Sequence, residues 1–171
     1  MAWFTLLVAL VAIERLAELI VARRNERWSR SRGAIEAGAA HYPAMVTLHT
    51  GLLAGALLEV WLGHRPFLPA LGWPMLALVL GAQALRWWCI ATLGPQWNTR
   101  ILVVPGLARV TGGPYRLLPH PNYLAVVVEG VALPLVHTAW ITALTFTVLN
   151  AALLRVRIAA EDAALRTLVT S

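Results

Sequence analysis

Candidate chemistry lies first in a short segment of the chain that is rich in turn-forming residues. Residues 112–123 read Gly-Gly-Pro-Tyr-Arg-Leu-Leu-Pro-His-Pro-Asn-Tyr and stand directly before a long apolar run. The two glycines favour a tight turn, while Pro119 and Pro121 restrict the residues before them to extended backbone. His120 or Asn122 can cap the following helix, whose free backbone amides suit a carboxylate or a phosphate. The segment therefore predicts a rigid loop that binds an anionic group.

A second set of polar residues follows near the end of the chain. Arg157 and Glu161 are one helical turn apart, and Asp162 is adjacent to Glu161. A ligand with a carboxylate, an ammonium and a ribose diol would find donors at Arg157 and the helix start, and acceptors at the two acids. S-adenosylmethionine carries all three groups. Arg and Glu pairs at this spacing also occur on many helices without a ligand, so spacing alone leaves a structural role open.

The composition restricts the kind of protein that can position these residues. Of 171 residues, 59% are apolar and 13% are charged, whereas soluble domains average about 45–50% and about 25%. So few charges cannot cover the surface of an ordinary soluble domain, and so apolar a chain is not disordered. All 14 basic residues are Arg, and the net charge of +6 would by itself suit a nucleic-acid partner.

Long apolar runs predict an all-α polytopic integral membrane protein. Three runs have the roughly 20 residues that a membrane-spanning helix needs: Trp3–Ala22, Ala44–Leu62 and Trp73–Leu93. A fourth, Tyr123–Leu154, is too long for one span and is interrupted at Pro134 and His137, so it predicts a helical hairpin. The prediction is five transmembrane helices in a single domain over residues 1–171, with the loop and the C-terminal helix in the cytoplasm.

The positions of the arginines predict the orientation in the membrane. Eleven of them fall on one side if there are five spans, and positive charge is retained on the cytoplasmic side. The N-terminus is then outside, and the C-terminus and the candidate site face the cytoplasm. This assignment makes nucleic acid an unnecessary explanation of the basic charge. The eleven are Arg23, Arg24, Arg27, Arg30, Arg32, Arg100, Arg109, Arg116, Arg155, Arg157 and Arg166.

Ionisable residues inside the predicted spans share a depth. Five of them lie roughly 6 to 12 Å from the cytoplasmic ends of their helices: Glu14, Glu18, His49, Arg86 and Glu129. Such groups are costly in lipid and are candidates for function, so they predict a polar chamber that opens to the cytoplasm. The alternative is structural pairing, because Arg15 can reach Glu18 and Arg86 can neutralise a glutamate.

Taken together, the motifs resemble a known family. Gly113-Pro114-Tyr115-Arg116, His120-Pro121-Asn122-Tyr123, and Arg157 with Glu161 and Asp162 resemble the isoprenylcysteine carboxyl methyltransferase and phospholipid methyltransferase superfamily. The resemblance implies an S-adenosylmethionine-dependent methyltransferase with a cytoplasm-facing cofactor pocket and a lipophilic acceptor that enters from the bilayer. It assigns Arg157 to a position beside the transferred methyl and implies cofactor contacts for Tyr115, His120, Pro121, Tyr123 and Glu161. Asp162, next to Glu161, and Arg116 are expected to contact the cofactor as well.

The sequence departs from the family pattern at three positions. Pro119 stands where the family has Arg before the His-Pro pair, Ala125 replaces a Gly, and Asp162 replaces a second Glu. The first departure removes a cation, so Arg116 or Arg100 is expected to bind the anionic group. The absence of a Phe-Gly and Tyr-rich tail after the acids argues against a prenylated-cysteine substrate.

The N-terminal half resembles a bacterial subgroup of this superfamily. The segments Glu14-Arg15-Leu16-Ala17-Glu18-Leu19, Gly38-Ala39-Ala40-His41-Tyr42 and Leu48-His49-Thr50 are similar to small methyltransferases associated with type III polyketide synthases. The resemblance implies a long-chain alkylpyrone or alkylresorcinol acceptor, a location in the bacterial inner membrane, and a polyketide synthase as functional partner.

The reaction sets the expected catalytic residues. A phenolic acceptor with a pKa near 10 needs a base, and the shared depth makes Glu129 or His49 the candidate beside Arg157. No metal is expected. Three alternatives remain: a carboxyl methyltransferase of an isoprenylcysteine-like lipid, an NADPH-dependent reductase with Arg100, Arg109 and Arg116 for its phosphates, and a non-enzymatic lipid-binding protein. The oligomeric state is left open.

Overall fold

Five α-helices make up most of residues 1–169. The computed structural model describes residues 1–169. The helices are α1 (Ala2–Arg30), α2 (Tyr42–Leu62), α3 (Pro69–Leu93), α4 (Pro121–Leu135) and α5 (Trp140–Val169). Pro43, Pro69 and Pro121 stand at the starts of α2, α3 and α4, where proline lacks only a hydrogen bond that the helix could not make. The mostly helical prediction is confirmed.

Three stretches within residues 1–169 are long and apolar enough to cross a membrane: Ala39–Leu62, Pro69–Gln96 and Trp140–Thr167. Helix α4 is apolar but short, and α1 carries Glu14, Arg15 and Glu18 within its apolar run and arginines after it. The structure therefore supports a membrane protein, while five complete spans remain a prediction.

Consecutive helices run in opposite directions and bring the arginine-rich segments to one end of the bundle. At this end His120, just before α4, bonds to Asp162 near the end of α5. At the other end Thr138, between α4 and α5, donates to the carbonyl oxygen of Pro66, between α2 and α3, over 2.9 Å. The helix ends that carry the arginine-rich segments therefore lie together at one end of the bundle, in agreement with the charge distribution along the sequence.

A small antiparallel sheet at the arginine-rich end corrects the purely helical prediction. Strand β1 (Ile35–Ala37) pairs with β2 (Ile101–Val103), and Glu36 lies opposite Leu102. Each strand has three residues, too few to show an alternating pattern, and the partner is distant in sequence. Although burial opposes it, hydrogen bonds from Arg100 and Arg30 hold the pKa of Glu36 below its usual value, at 2.7 and 2.8 Å.

Helix α4 is the central element and packs against both α3 and α5. All residues from Ala132 to Ala139 are buried. Gly130 faces the ring of Phe146 on α5, and a Cβ at this position would overlap that ring. A small residue is therefore needed where α4 and α5 approach each other. The C-terminal end of α4 is therefore covered by protein, whereas Leu124 and Val127 in its N-terminal half are exposed.

The outer surface has the character of a lipid-facing surface. Apolar side chains along α1 are more than half exposed, among them Leu6, Ile13 and Ile20. Exposed tryptophans lie at both ends of the bundle, the positions where aromatic side chains meet the membrane interface: Trp3, Trp61, Trp73 and Trp140 at one end, Trp87 and Trp88 towards the other.

Candidate active site

A cavity of about 360 Å³ runs through the arginine-rich half of the bundle. This volume lies within the range of small-molecule sites, roughly 300–1,000 Å³. Its walls come from all five helices and from the segment between α3 and α4. Along α4 the lining extends from His120 to Glu129, about 14 Å of helix. On α5 the lining runs from Asn150 to Leu165, so the cavity is long enough for two ligand groups in series.

The loop and the C-terminal helix meet at the outer part of the cavity. The Tyr123 hydroxyl donates to Glu161 Oε2 at 2.5 Å, and His120 Nε2 lies 3.1 Å from Asp162 Oδ1. The His120 ring also packs against Tyr123, with centroids 5.4 Å apart. The structure thus brings together four residues that the motifs predicted for one site, although α5 lies some forty positions further along the chain.

Arg157 lies in the same cavity wall and has a hydrogen-bond donor that is not used within residues 1–169. Its side chain is 5% exposed and lines the cavity, and one terminal nitrogen donates to the carbonyl oxygen of Thr99 at 3.0 Å. Its Nε has no hydrogen-bond partner within residues 1–169, and neither has the Oδ1 of Asn122, which also lines the cavity. Buried polar atoms are nearly always paired, so these two point to a ligand.

Tyr115 lines the cavity beside the Cys89 thiol of α3. Burial, and contact with Cys89, raise the pKa of Tyr115 far above its ordinary value. The hydroxyl is therefore protonated at neutral pH and can donate a hydrogen bond. This geometry agrees with the cofactor contact that the motif implies.

Three predicted cofactor residues are not among those that line the cavity, and one of them is Asp162, which contacts His120 from beside it. Arg116 is exposed on the short turn 113–116 and is not among the lining residues, so its expected role in anion binding is not supported. Pro121 is fully buried and begins α4, so it shapes the loop. Arg100 does line the cavity, but it is bonded to Glu36 and lies over the Tyr42 ring at 4.1 Å.

The ionisable residues deeper in the bundle form a paired cluster. Arg86 contacts Glu129 at 2.5 Å and Glu18 at 3.2 Å, and Arg15 contacts the same two carboxylates. Glu14 accepts hydrogen bonds from Gln83 and Trp87. Glu18, Arg86 and Glu129, which share a depth in the sequence analysis, do lie close together. Their contacts are ion pairs, as the alternative of a purely structural role predicts. Glu129 lines the cavity, but two guanidinium groups already contact one of its oxygens.

His49 is placed differently from Glu129. Its Nδ1 lies 2.9 Å from the carbonyl oxygen of Met45, and its ring packs edge-on against Phe146. Because a carbonyl only accepts, Nδ1 carries the proton and Nε2 keeps its lone pair in the neutral ring. His49 lines the cavity. His49 is therefore the better candidate base, because its Nε2 can accept a proton, whereas one carboxylate oxygen of Glu129 is already contacted by two guanidinium groups.

Sequence reasoning missed Asn150. Its side chain is 2% exposed, lines the cavity, and has an Oδ1 without a partner within residues 1–169. The residues predicted within the spans are all ionisable groups. A buried amide in an otherwise apolar helix is a comparable signal, because it also needs a hydrogen-bond partner. The amide of Asn150 within an apolar run is therefore the sequence signal for this residue.

Comparison with known proteins agrees with this geometry. The model of the isoprenylcysteine carboxyl methyltransferase (ICMT) family matches residues 75–167, a range that includes the loop, α4 and the Arg157 region. A Bacillus subtilis (strain 168) protein, "Uncharacterized protein YpbQ", is 43% identical over 164 residues, covering 95% of this chain and 96% of that protein. No solved structure matches. The chain belongs to the isoprenylcysteine carboxyl methyltransferase family, a family of membrane methyltransferases.

Proposed function

We propose that this protein is an S-adenosylmethionine-dependent O-methyltransferase of the bacterial inner membrane, with a long-chain alkylresorcinol or alkylpyrone as acceptor. The observation that carries the proposal is Arg157, a buried guanidinium whose Nε has no partner within residues 1–169 and which lines a cavity beside the Tyr123–Glu161 pair. Methyltransferases of this family generally use S-adenosylmethionine. No catalytic metal is part of the proposal.

The residues of the outer cavity fit this cofactor chemically. Glu161 offers carboxylate oxygens to a ribose diol, and Asp162 lies beside it without lining the cavity. Tyr115 offers a protonated hydroxyl, and Arg157 offers a donor to a carboxylate or a developing anion. Glu161 is about one-third exposed and Asp162 slightly more, so both can exchange their histidine and tyrosine contacts for a ligand. S-adenosylmethionine would supply a methyl group on a positively charged sulfur.

The remaining cavity suits a lipophilic acceptor. Its middle is lined by apolar side chains: Met45, Val46, Leu52, Leu53, Val126, Leu153 and Leu154. Val46 and Thr50 of α2 line the cavity and are also exposed on the outside of the bundle. An alkyl chain can therefore reach the cavity from the bilayer beside the first turns of α2, without crossing water.

The chain's own residues then have defined tasks in the transfer. His49 Nε2 accepts the phenolic proton of a resorcinol and later releases it to water. Arg157 stabilises the resulting oxyanion. When bound, S-adenosylmethionine would supply its methyl carbon to this oxygen, and its sulfur would keep the electron pair of the broken sulfur–carbon bond. Apolar walls exclude water, so the acceptor is methylated in a dry, aligned geometry.

Binding and turnover with purified protein in detergent test the proposal. S-adenosylhomocysteine should raise the melting temperature, and labelled methyl should pass from S-adenosylmethionine to pentadecylresorcinol. Transfer to N-acetyl-S-farnesylcysteine in preference to the resorcinol would replace this acceptor with a carboxyl group. No stabilisation at ligand concentrations far above micromolar would reject the methyltransferase and favour a non-enzymatic lipid-binding protein.

The reductase alternative has less support. Of its three candidate phosphate ligands, Arg116 lies outside the cavity, Arg100 is bonded to Glu36, and Arg109 donates to the carbonyl oxygen of Pro119. Stabilisation by NADPH without stabilisation by S-adenosylhomocysteine would restore it.

The proposal includes orientation and partner. An N-terminus outside and a C-terminus in the cytoplasm are supported by the arginines, which lie in the segments at one end of the bundle. A C-terminal green fluorescent protein fusion should therefore fluoresce, and a C-terminal alkaline phosphatase fusion should be inactive. The acceptor would be made by a type III polyketide synthase. Lipid extracts from cells with the gene should then contain an alkylresorcinol or alkylpyrone heavier by one methylene than extracts from cells without it.

A further inference from the structure

Asn150 is the most thoroughly buried side-chain amide among the residues that line the cavity. It is 2% exposed, compared with 5% for Arg157 and 4% for Glu129, and its Oδ1 has no partner within residues 1–169. Removing an amide from water without a compensating hydrogen bond is expensive, the more so in a helix surrounded by apolar groups. A ligand group that enters the cavity would remove this cost.

The position of Asn150 separates it from the cofactor residues. It lies seven and eleven residues before Arg157 and Glu161 on the same helix, so it is about 10 and 16 Å deeper along α5. Phe146, one turn further on, packs against His49. Asn150 therefore lies in the part of the cavity that holds the candidate base, beyond the group that would hold the cofactor.

We infer that Asn150 binds a second hydroxyl group of the acceptor, next to the oxygen that is methylated. This inference rests on the proposed function. A side-chain amide has one accepting oxygen and two donating hydrogens. A hydroxyl both donates and accepts, so it can pair with the amide in either orientation. A carboxylate only accepts and leaves Oδ1 unpaired. Asn150 thus favours a dihydroxy ring over a carboxylate acceptor.

The inference predicts a preference that depends on Asn150. Wild-type protein should methylate pentadecylresorcinol with a kcat/KM about tenfold above that of pentadecylphenol, which lacks the second hydroxyl. Asn150→Leu should lower the value for the resorcinol to that for the phenol and leave the phenol value unchanged. The affinity for S-adenosylhomocysteine should also stay unchanged, because the cofactor residues lie two to three turns away.

Asn25 provides a matched control for a structural role. It is also a buried asparagine, 7% exposed, but its Nδ2 donates to the carbonyl oxygens of Gly94 and Trp97 at 3.0 and 2.8 Å. Asn25→Leu should therefore lower the melting temperature of the ligand-free protein. Asn150→Leu should leave it unchanged or raise it, because an unpaired buried amide is replaced by an apolar group of similar size.

The outcomes distinguish failure of the Asn150 inference from failure of the proposed methyltransferase function. A resorcinol preference that persists in Asn150→Leu, no preference in the wild type, or a melting temperature that falls as in Asn25→Leu would overturn the inference alone. Absence of S-adenosylhomocysteine binding and of methyl transfer in the wild type would reject the proposed function and this inference together. If leucine prevents folding, Asn150→Ala gives the same acceptor ratio with a smaller side chain.

Discussion

Two polar regions line the same cavity and differ in how fully their groups are paired. In the deep region, Arg15, Arg86, Glu18 and Glu129 contact one another. In the outer region, Glu161 is partly exposed and the Arg157 Nε has no partner within residues 1–169. The first arrangement stabilises helix packing, whereas the second leaves groups for a ligand. Location within a membrane span does not by itself distinguish the two kinds of region.

The largest effect is expected on breaking the deep cluster. Glu129→Gln removes the carboxylate that both Arg15 and Arg86 contact and leaves a buried guanidinium without full compensation. We expect a loss of about 3 kcal/mol in the free energy of unfolding, measured by denaturant unfolding in mixed micelles. Glu161→Gln is the control and should lose much less stability, because glutamine keeps an oxygen that can accept from the Tyr123 hydroxyl. Equal stability of the two variants would contradict the division into a paired and a ligand-binding region.

The next effect is expected on catalysis in the outer region. Arg157→Met keeps much of the side-chain volume but removes every donor. We expect the rate of methyl transfer to fall about a hundredfold, measured in single-turnover reactions with saturating S-adenosylmethionine. Arg155→Met, an exposed arginine two residues earlier, should keep the wild-type rate. A full rate in Arg157→Met would remove this residue from the reaction.

A smaller effect is expected on cofactor binding. Glu161→Gln weakens one acceptor for a ribose diol and the bond from the Tyr123 hydroxyl. The dissociation constant of S-adenosylhomocysteine should rise about tenfold, as titration calorimetry would detect. Unchanged affinity would mean that the Tyr123–Glu161 pair only fastens α5 to α4.

The smallest effect is expected at the sheet, outside both regions. The pKa of Glu36 is lowered in the folded protein, so its stabilising contribution is complete above the unfolded value of about 4.5 and is lost as pH falls through the folded value. Glu36→Gln should therefore cost up to about 1 kcal/mol at pH 7 and should flatten the decline of melting temperature in acid. A parallel acid decline in both proteins would contradict this.

The sequence determined the elements and the motif residues of the site. Apolar runs predicted the helices because burial in lipid or in a bundle requires them, and the shared depth of Glu18, Arg86 and Glu129 predicted their proximity. The motifs placed Tyr115, His120, Tyr123, Arg157 and Glu161 in one site, and the structure gathers these residues around one cavity. Family membership followed from the same motifs.

Only the tertiary structure decided which polar groups have partners. Arg116 and Arg157 are both arginines that the sequence assigns to the site. The structure leaves Arg116 exposed and buries Arg157 in the cavity wall. The β1–β2 pairing joins segments that are distant in sequence. Asn150 is buried and lines the cavity, yet its Oδ1 has no partner within residues 1–169. Hydrogen-bond satisfaction is a property of neighbours in space, whereas apolar periodicity is a property of neighbours along the chain.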